Sequence, residues 1–381
     1  MSGYEAAQRS ISGALARGQS ALDLSNHQLT VLPPEIAQVR TLQSLSLAKN
    51  QLKTLPPEIR QLTALRSLDL SDNELRALPS EIRYFTALES LGVSENWLTA
   101  LPPAIGQLTA LQVLDVTDNM LEALPPEIAG LKALQSLYLA GNQLKALPTE
   151  IGKLTALRSL HIGRNDVASL PSEIAGLTAL HTIDLRDNKL KTLPDGIAGL
   201  TALRDLFLFR NQLTALTPAI TSLTALERLY LGGNQLTMLP SEIGQFPALK
   251  VLDVTDNRLG TLPPEIAGLM ALERFELARN KLTVLPPEIG QLKRLQFLYL
   301  DRNDLTALPP EIVQLTALKS LTLSSNRLTT LPPRMGQLTA LVSLSITFNE
   351  LTELPPEIGQ IATLQILDVS GNRLKSLPTR N

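Results

Sequence analysis

The sequence predicts an α/β repeat solenoid, because one 23-residue pattern recurs along almost the whole chain. Fifteen of the seventeen asparagines are spaced by that period, from Asn50 to Asn372, and one step back from Asn50 reaches His27. Proline keeps the same period: 25 of the 26 prolines lie six or seven residues after the asparagine position, and Pro247 is the exception. Sixteen repeats without an insertion over residues 21–381 predict a stack of similar coils, each stabilised by its neighbours.

Each position of the repeat has a physical role. Leu68 and Leu70 alternate with polar residues, as in a short strand with one buried face. The Asn73 amide can both donate and accept, so stacked asparagines are expected to bond the backbone of neighbouring coils. Pro79 withholds a backbone donor, and Glu81 falls where a short helical turn begins. Because the turn side is thicker than a strand, we expect a horseshoe with a parallel sheet on its concave face. Extended segments and short helical turns then form its convex face.

The two ends depart from the repeat. Residues 1–20 predict an N-terminal helical cap that stops at Gly18, with apolar side chains at helical spacing at Tyr4, Ala7, Ile11, Ala14 and Leu15. Residues 376–381 break off midway through the sixteenth repeat and contain no polar cap. This predicts either a partly open last coil or a piece of a longer protein, and an open coil could associate with a second copy.

Composition argues against several functions. The 34 basic and 36 acidic residues leave a net charge of −2, so no basic face for nucleic acid is expected. The chain has no cysteine, which excludes disulfides and thiolate chemistry. It also lacks an apolar leader and a long apolar segment, so we expect no membrane insertion and a cytoplasmic location.

No residues are arranged for catalysis. His161 and His181 lie near Asp184 without a serine or cysteine nucleophile, and pairs such as Asp69 and Asp72 recur only as part of the repeat. We therefore expect no enzyme activity, no metal and no cofactor.

The unit LxxLxLxxNxLxxLPPEIgxLta resembles the leucine-rich repeat over about residues 5–381. Its LPPEI version is similar to the repeats of Ras-suppressor, plant Ras-group and Scribble-like proteins. The helix that leads into GQSALDLS at residues 18–25 resembles the start of the leucine-rich region of Roco GTPases. The resemblance implies an intracellular scaffold with a protein partner, such as a small GTPase or another signalling protein. The chain has no GxxxxGK[ST] motif, so a nucleotide-binding domain would have to lie outside it.

The residues predicted to point from the sheet change character along the chain. They are mostly small or acidic in the first five repeats, whereas aromatic residues and arginines dominate from the sixth to the thirteenth. Seven of the thirteen aromatic residues occupy such positions, including Phe348 outside this stretch, and exposed aromatics mixed with arginine are typical of interface hot spots. We predict that a macromolecular partner contacts Tyr138, His161, Arg164, Arg186, Asp205, Phe207, Phe209, Arg210, Arg228, Tyr230, Arg274, Glu276, Arg279, Phe297, Tyr299, Asp301 and Arg302.

Two alternatives stay open at this point. Aromatic side chains also fit ordinary sheet surfaces, where an arginine and an aspartate on adjacent strands, such as Arg186 and Asp205, simply pair. Aromatic rings with aspartate and arginine can also stack on and hydrogen-bond sugars, which would make this a carbohydrate-binding surface.

Overall fold

A computed structural model describes residues 2–376. Within these residues there are one α-helix, α1 (Gly3–Arg17), and sixteen strands of three residues each. The chain divides into two compact units: Met1–Lys189 with Gly199–Thr201, and Leu190–Ala198 with Ala202–Asn381. The predicted repeat region ends at residues 377–381, which lie outside the described residues.

In the first unit, eight strands form a parallel sheet in sequence order. Each residue pairs with the residue 23 positions further on, as Leu68 does with Leu91. The strands are β1 (Ala21–Asp23), β2 (Ser44–Ser46), β3 (Ser67–Asp69), β4 (Ser90–Gly92), β5 (Val113–Asp115), β6 (Ser136–Tyr138), β7 (Ser159–His161) and β8 (Thr182–Asp184).

The second unit repeats this arrangement with eight further parallel strands. Leu229 pairs with Leu206 on one side and with Leu252 on the other, again in register with the repeat. The strands are β9 (Asp205–Phe207), β10 (Arg228–Tyr230), β11 (Val251–Asp253), β12 (Arg274–Glu276), β13 (Phe297–Tyr299), β14 (Ser320–Thr322), β15 (Ser343–Ser345) and β16 (Ile366–Asp368). The predicted fold class is confirmed.

A short 3-10 helix follows each strand except the last described one. Most begin at or just after the repeat prolines, whose fixed φ suits this start. They span Pro34–Gln38, Pro57–Gln61, Ser80–Tyr84, Pro103–Gln107, Pro126–Gly130, Thr149–Lys153, Ser172–Gly176, Asp195–Gly199, Pro218–Ser222, Ser241–Gln245, Pro264–Gly268, Pro287–Gln291, Pro310–Gln314, Met335–Gln337 and Pro356–Gln360. The core between strands and turns consists almost entirely of leucine and isoleucine.

The asparagines form the predicted ladder. Asn73 Nδ2 donates to the carbonyl oxygens of Leu47 and Leu70, both at 3.0 Å. Its Oδ1 accepts from the backbone N–H of Leu52 at 3.0 Å, so one side chain ties two coils together. The first coil lacks such an asparagine, and there the N–H of His27 donates to Asn50 Oδ1 at 3.0 Å.

Helix α1 has strong signals at both ends. Ser2 and Glu5 bond each other's backbone N–H in a capping box, and Gly18 follows the helix with a left-handed φ of 59°. Ala7, Ile11 and Ala14 are buried, as the helical spacing predicted.

The spacing did not predict burial correctly for the first and last apolar residues of the set in α1. Tyr4 and Leu15 are 38% and 44% exposed. The buried face of the helix consists of Ala7, Ile11 and Ala14, which lie between these two residues.

Candidate binding surface

The strands present alternate side chains to the core and to solvent. In β10 the central residue Leu229 is buried, whereas Arg228 and Tyr230 on either side are exposed or half-buried. This pattern recurs in nearly every described strand and leaves one sheet face in each unit open to solvent.

Of the seventeen predicted partner-binding residues, four lie in the first unit and thirteen in the second. None of them is buried. Six arginines are exposed: Arg164, Arg186, Arg210, Arg228, Arg279 and Arg302. The other eleven are half-buried: Tyr138, His161, Asp205, Phe207, Phe209, Tyr230, Arg274, Glu276, Phe297, Tyr299 and Asp301.

In the first unit the predicted residues form a stacked and charge-paired group. The rings of Tyr138 and His161 stack with their centroids 4.9 Å apart. Arg186 Nη2 lies 2.7 Å from Asp184 Oδ2, and His161 Nδ1 lies 3.9 Å from the same oxygen. Arg164 instead pairs with Asp118, at 2.9 Å.

Asp184 is therefore a buried carboxylate with its own counterion. Only 3% of the residue is exposed. Burial alone would raise its pKa, but the interactions with His161 and Arg186 outweigh burial and hold the pKa below its usual value.

The second unit carries three aromatic residues joined through the ring of Tyr230: Phe207, Phe209 and Tyr230, here called the aromatic cluster. Phe207 and Tyr230 occupy equivalent positions on paired strands, and their rings stack at 4.9 Å with an interplanar angle of 5°. The Phe209 ring lies 5.1 Å from that of Tyr230 at 33°. Three half-exposed rings thus form one apolar surface on the sheet.

The arginines around the aromatic cluster are held in two ways. Arg228 forms two hydrogen bonds to Asp205 across the strand pair, the pairing that the alternative interpretation expects of such neighbours. Arg274 instead donates to Glu276 of its own strand at 2.5 Å. Its guanidinium also lies over two half-buried rings, 4.9 Å from the centroid of Tyr299 and 5.3 Å from that of Phe297.

The remaining predicted residues lie at the loop edge, just beyond the strands. Asp301 accepts hydrogen bonds from Thr322 Oγ1 and, at 2.8 Å, from the backbone of Ser324. Arg279 and Arg302 are exposed and form no ion pair with any residue in the described part of the chain. They are the arginines with charge available to a partner.

The predicted set of binding residues leaves out Asp253, although its position in the repeat belongs to this surface. Asp253 follows Tyr230 in register on the next strand, yet only 6% of it is exposed. Burial raises its pKa and the negative charge of Glu276 adds to that effect, whereas the Thr255 backbone and hydroxyl and the charge of Arg274 offset only part. The sequence signal was an aspartate one repeat after the aromatic Tyr230, without an arginine two residues later.

Residues 2–376 contain no group of three or more histidine, aspartate or glutamate side chains placed to hold a metal ion. In that range no helix has the length and apolar content needed to cross a membrane.

Sequence and structure comparisons place this repeat surface in a known class of protein. A family model described as a leucine-rich repeat region matches residues 91–164, 148–233 and 269–351. Related leucine-rich repeat models match residues 20–75, 225–246 and 248–269. The chain belongs to the leucine-rich repeat family. A search of curated protein sequences finds no match.

Solved structures agree with this assignment. A leucine-rich repeat protein of Leptospira interrogans is 40% identical with a TM-score of 0.88, over 96% of this chain and 93% of that one. The plant peptide hormone receptor RGFR1, solved in complex with RGF2, is 29% identical with a TM-score of 0.61, over 93% and 67%. A TDR receptor is 27% identical with a TM-score of 0.75, over 96% and 71%.

Proposed function

We propose that this chain is a protein-interaction scaffold whose exposed sheet face in the second unit binds a protein partner. The observation that carries the proposal is the aromatic cluster, because Phe207, Phe209 and Tyr230 stay half-exposed on the sheet despite their ring contacts. Rigid aromatic rings surrounded by arginine are the usual anchors of protein interfaces. The plant receptor structure with its bound RGF2 supports a role for this repeat family in binding other proteins or peptides.

The arginines fit this role in different ways. The pairs Arg228–Asp205 and Arg274–Glu276 hold their side chains in place, so that little conformational entropy is lost when a partner docks. Arg279 and Arg302, which lack such pairs among the described residues, supply charge that draws a partner with acidic groups to the rim. We expect the surface to act by binding alone, without a catalytic step.

The identity of the partner rests on resemblance only. Similarity to Ras-suppressor and Roco repeats favours a small GTPase or another signalling protein, and the cytoplasm as the compartment. The self-association predicted from the sequence stays a prediction. The residue that bears on it is Leu367 of β16, which is 38% exposed although its pairing neighbour Leu344 is buried.

The test is capture of a partner from native lysate by the parent chain and by a Phe207→Ala, Tyr230→Ala variant. If the aromatic cluster anchors the partner, the variant should bind at least about tenfold more weakly, since hot-spot truncations cost roughly 2 kcal/mol or more. Phe348→Ala is the matched control, because Phe348 is a 68% exposed phenylalanine outside the cluster. Circular dichroism checks that each variant is folded.

Equal capture by the parent and the aromatic variant would refute the proposal. A salt titration separates it from the carbohydrate alternative. A protein interface that uses Arg279 and Arg302 should weaken as salt rises, whereas sugar stacking on the rings should not.

A further inference from the structure

A small pocket opens on the sheet face of the second unit, beside the aromatic cluster. Its volume is about 210 Å³, and its lining includes Phe209, Arg210, Asp253, Thr255 and Glu276. Pockets for drug-sized ligands begin at roughly 300 Å³, so this one suits a single side chain.

The pocket depends on a glycine. A Cβ added at Gly232 would lie 3.0 Å from Phe209 Cδ1 and 3.3 Å from the carbonyl oxygen of Thr255. Any side chain there would occupy the space against the Phe209 ring. Because Gly232 has no side chain, the Phe209 ring stays accessible and forms an apolar wall of the pocket.

The floor of the pocket carries the Asp253 carboxylate, which forms no ion pair with any described residue. Asp253 Oδ1 accepts the backbone N–H of Thr255 at 2.8 Å, and no donor or cation among the described residues reaches Oδ2. The Thr255 hydroxyl lies close enough to lower the pKa of this carboxyl, yet it is shielded from solvent and meets hydrogen-bond geometry with no described residue. A buried carboxylate in this state is costly, because its lost hydration is not replaced.

Asp184 in the first unit occupies the equivalent strand position and has an ion-pair partner. It is the last residue of its strand, as Asp253 is, and is equally buried. Yet Arg186 lies 2.7 Å from its carboxylate, whereas the residue two positions after Asp253 is Thr255. The same position in the repeat can therefore hold a carboxylate with an ion-pair partner. Asp253 has no such partner among the described residues, so a cation from another molecule would supply it.

The charges around the pocket favour the same occupant. Asp256 at the rim is exposed and has no ion pair among residues 2–376. Glu276 is paired with Arg274, and Arg210, the cationic residue of the lining, has an interaction of its own. Asp253 and Asp256 therefore line the pocket without an ion pair to any described residue.

We infer that this pocket binds a lysine or arginine side chain of the partner, with its cation at Asp253 and its methylene stem against Phe209. The inference rests on the proposed function, since it names the chemistry of one anchor in that interface. A cationic head would supply the hydrogen bonds that the Asp253 carboxylate lacks, and charge-assisted bonds in a shielded site are strong. The Phe209 ring would pack on the stem and face the positive end.

The test uses N-acetyl-lysine amide and N-acetyl-arginine amide, with N-acetyl-norleucine amide and N-acetyl-glutamine amide as neutral probes. Binding is followed from the NMR shift of the Thr255 methyl group in the full chain. Both cations should shift this signal with a saturable millimolar curve, and the neutral probes should not. Methylammonium should bind more weakly than the lysine probe, because it has no stem to pack on Phe209.

Asp253→Asn should raise the dissociation constant for the cations roughly tenfold, the usual loss for one charged hydrogen bond. Asp184→Asn is the matched control and should leave the curve unchanged. Gly232→Ala should also weaken binding while keeping both carboxylates. Equal shifts with neutral and cationic probes, no shift with any probe, or unchanged cation binding in Asp253→Asn would each overturn the inference.

Its failure can be told apart from failure of the proposed function. If the cation titration succeeds but the aromatic variant still captures the partner, the pocket assignment stands and the interface lies elsewhere. If partner capture is lost in the aromatic variant but the titration is flat, the interface stands and the pocket assignment is wrong.

Discussion

Replacing Asn119 by alanine tests whether the asparagine ladder stabilises the solenoid. Asn119 is 7% exposed, and its Oδ1 accepts the N–H of Leu98 at 2.9 Å. Its Nδ2 donates to the carbonyl oxygens of Val93 at 2.9 Å and of Val116 at 3.1 Å. The alanine variant loses all of these bonds but keeps the fold of the backbone.

The expected loss of unfolding free energy depends on which buried backbone groups keep a hydrogen-bond partner in the variant. The Val93 oxygen still accepts from Asn96 at 3.2 Å, and the Val116 oxygen still accepts from Asn142 at 2.9 Å. The Leu98 N–H, in contrast, loses its acceptor in a buried site. One orphaned donor, together with the lost bonds and the space left by the amide, should cost about 2 to 4 kcal/mol.

Urea unfolding followed by circular dichroism measures this cost, and hydrogen exchange at Leu98 shows whether the loss is local. Glu122→Ala is the control in the same coil. Glu122 and Lys145 are 3.6 Å apart with side chains 67% and 74% exposed, so their pair contributes little. If Asn119→Ala is no less stable than Glu122→Ala, the ladder does not hold the coils together.

An Asn119→Asp variant sharpens the same test. The carboxylate keeps the acceptor for Leu98 but turns a second oxygen toward the carbonyls of Val93 and Val116. Such surroundings raise the pKa of an aspartate in the folded state. The deficit relative to the parent should be largest at neutral pH and should shrink as pH falls and the carboxyl takes up a proton. A deficit independent of pH would contradict this account.

Further predictions concern glycines in the turns and the two buried aspartates. Gly130→Ala should cost roughly 1 to 3 kcal/mol in urea unfolding because its Cβ would lie 2.1 Å from the Gly106 carbonyl oxygen, whereas Gly260→Ala, with nothing within 4 Å, should be near neutral. Equal effects of these two substitutions would count against close coil packing. Asp184→Asn should destabilise the chain at neutral pH and remove a loss of stability that the parent shows on acidification, because the lowered pKa of Asp184 contributes stability until pH falls through it. Asp253→Asn should be neutral or stabilising at pH 7, because the raised pKa of Asp253 means that its ionised form lowers folded-state stability as pH rises. Urea unfolding of the parent and both variants between pH 3 and 7 checks these signs, and a shared direction for the two variants would refute them.

The sequence alone was enough to predict the repeat, the strand register and the asparagine ladder. This was possible because every coil packs against a copy of its own pattern, so the neighbours of each position are known in advance. Leu68 must lie beside Leu91 once the period is 23 residues, and the pairing confirms it. The same logic located the solvent-facing strand positions, including those of Phe207 and Tyr230.

The repeat pattern did not predict the exposure of two side chains of helix α1 or the partners of the arginines. The helix packs against unlike residues, so its spacing could not reveal that Tyr4 and Leu15 stay exposed. Arg228 and Arg274 both begin a strand, yet Arg228 reaches across to Asp205 and Arg274 turns to Glu276 of its own strand. The choice depends on side-chain rotamers and on the rings that Arg274 covers.

The pocket at Asp253 likewise required the tertiary structure. The sequence shows an aspartate, a glycine and a phenylalanine in three successive repeats, but not that Phe209 lines the space left open by Gly232. Nor does it show that Asp253 is buried without a cation while Asp184 has one. A repeat determines which positions meet, whereas burial and charge at one position depend on the side chains of the coils beside it.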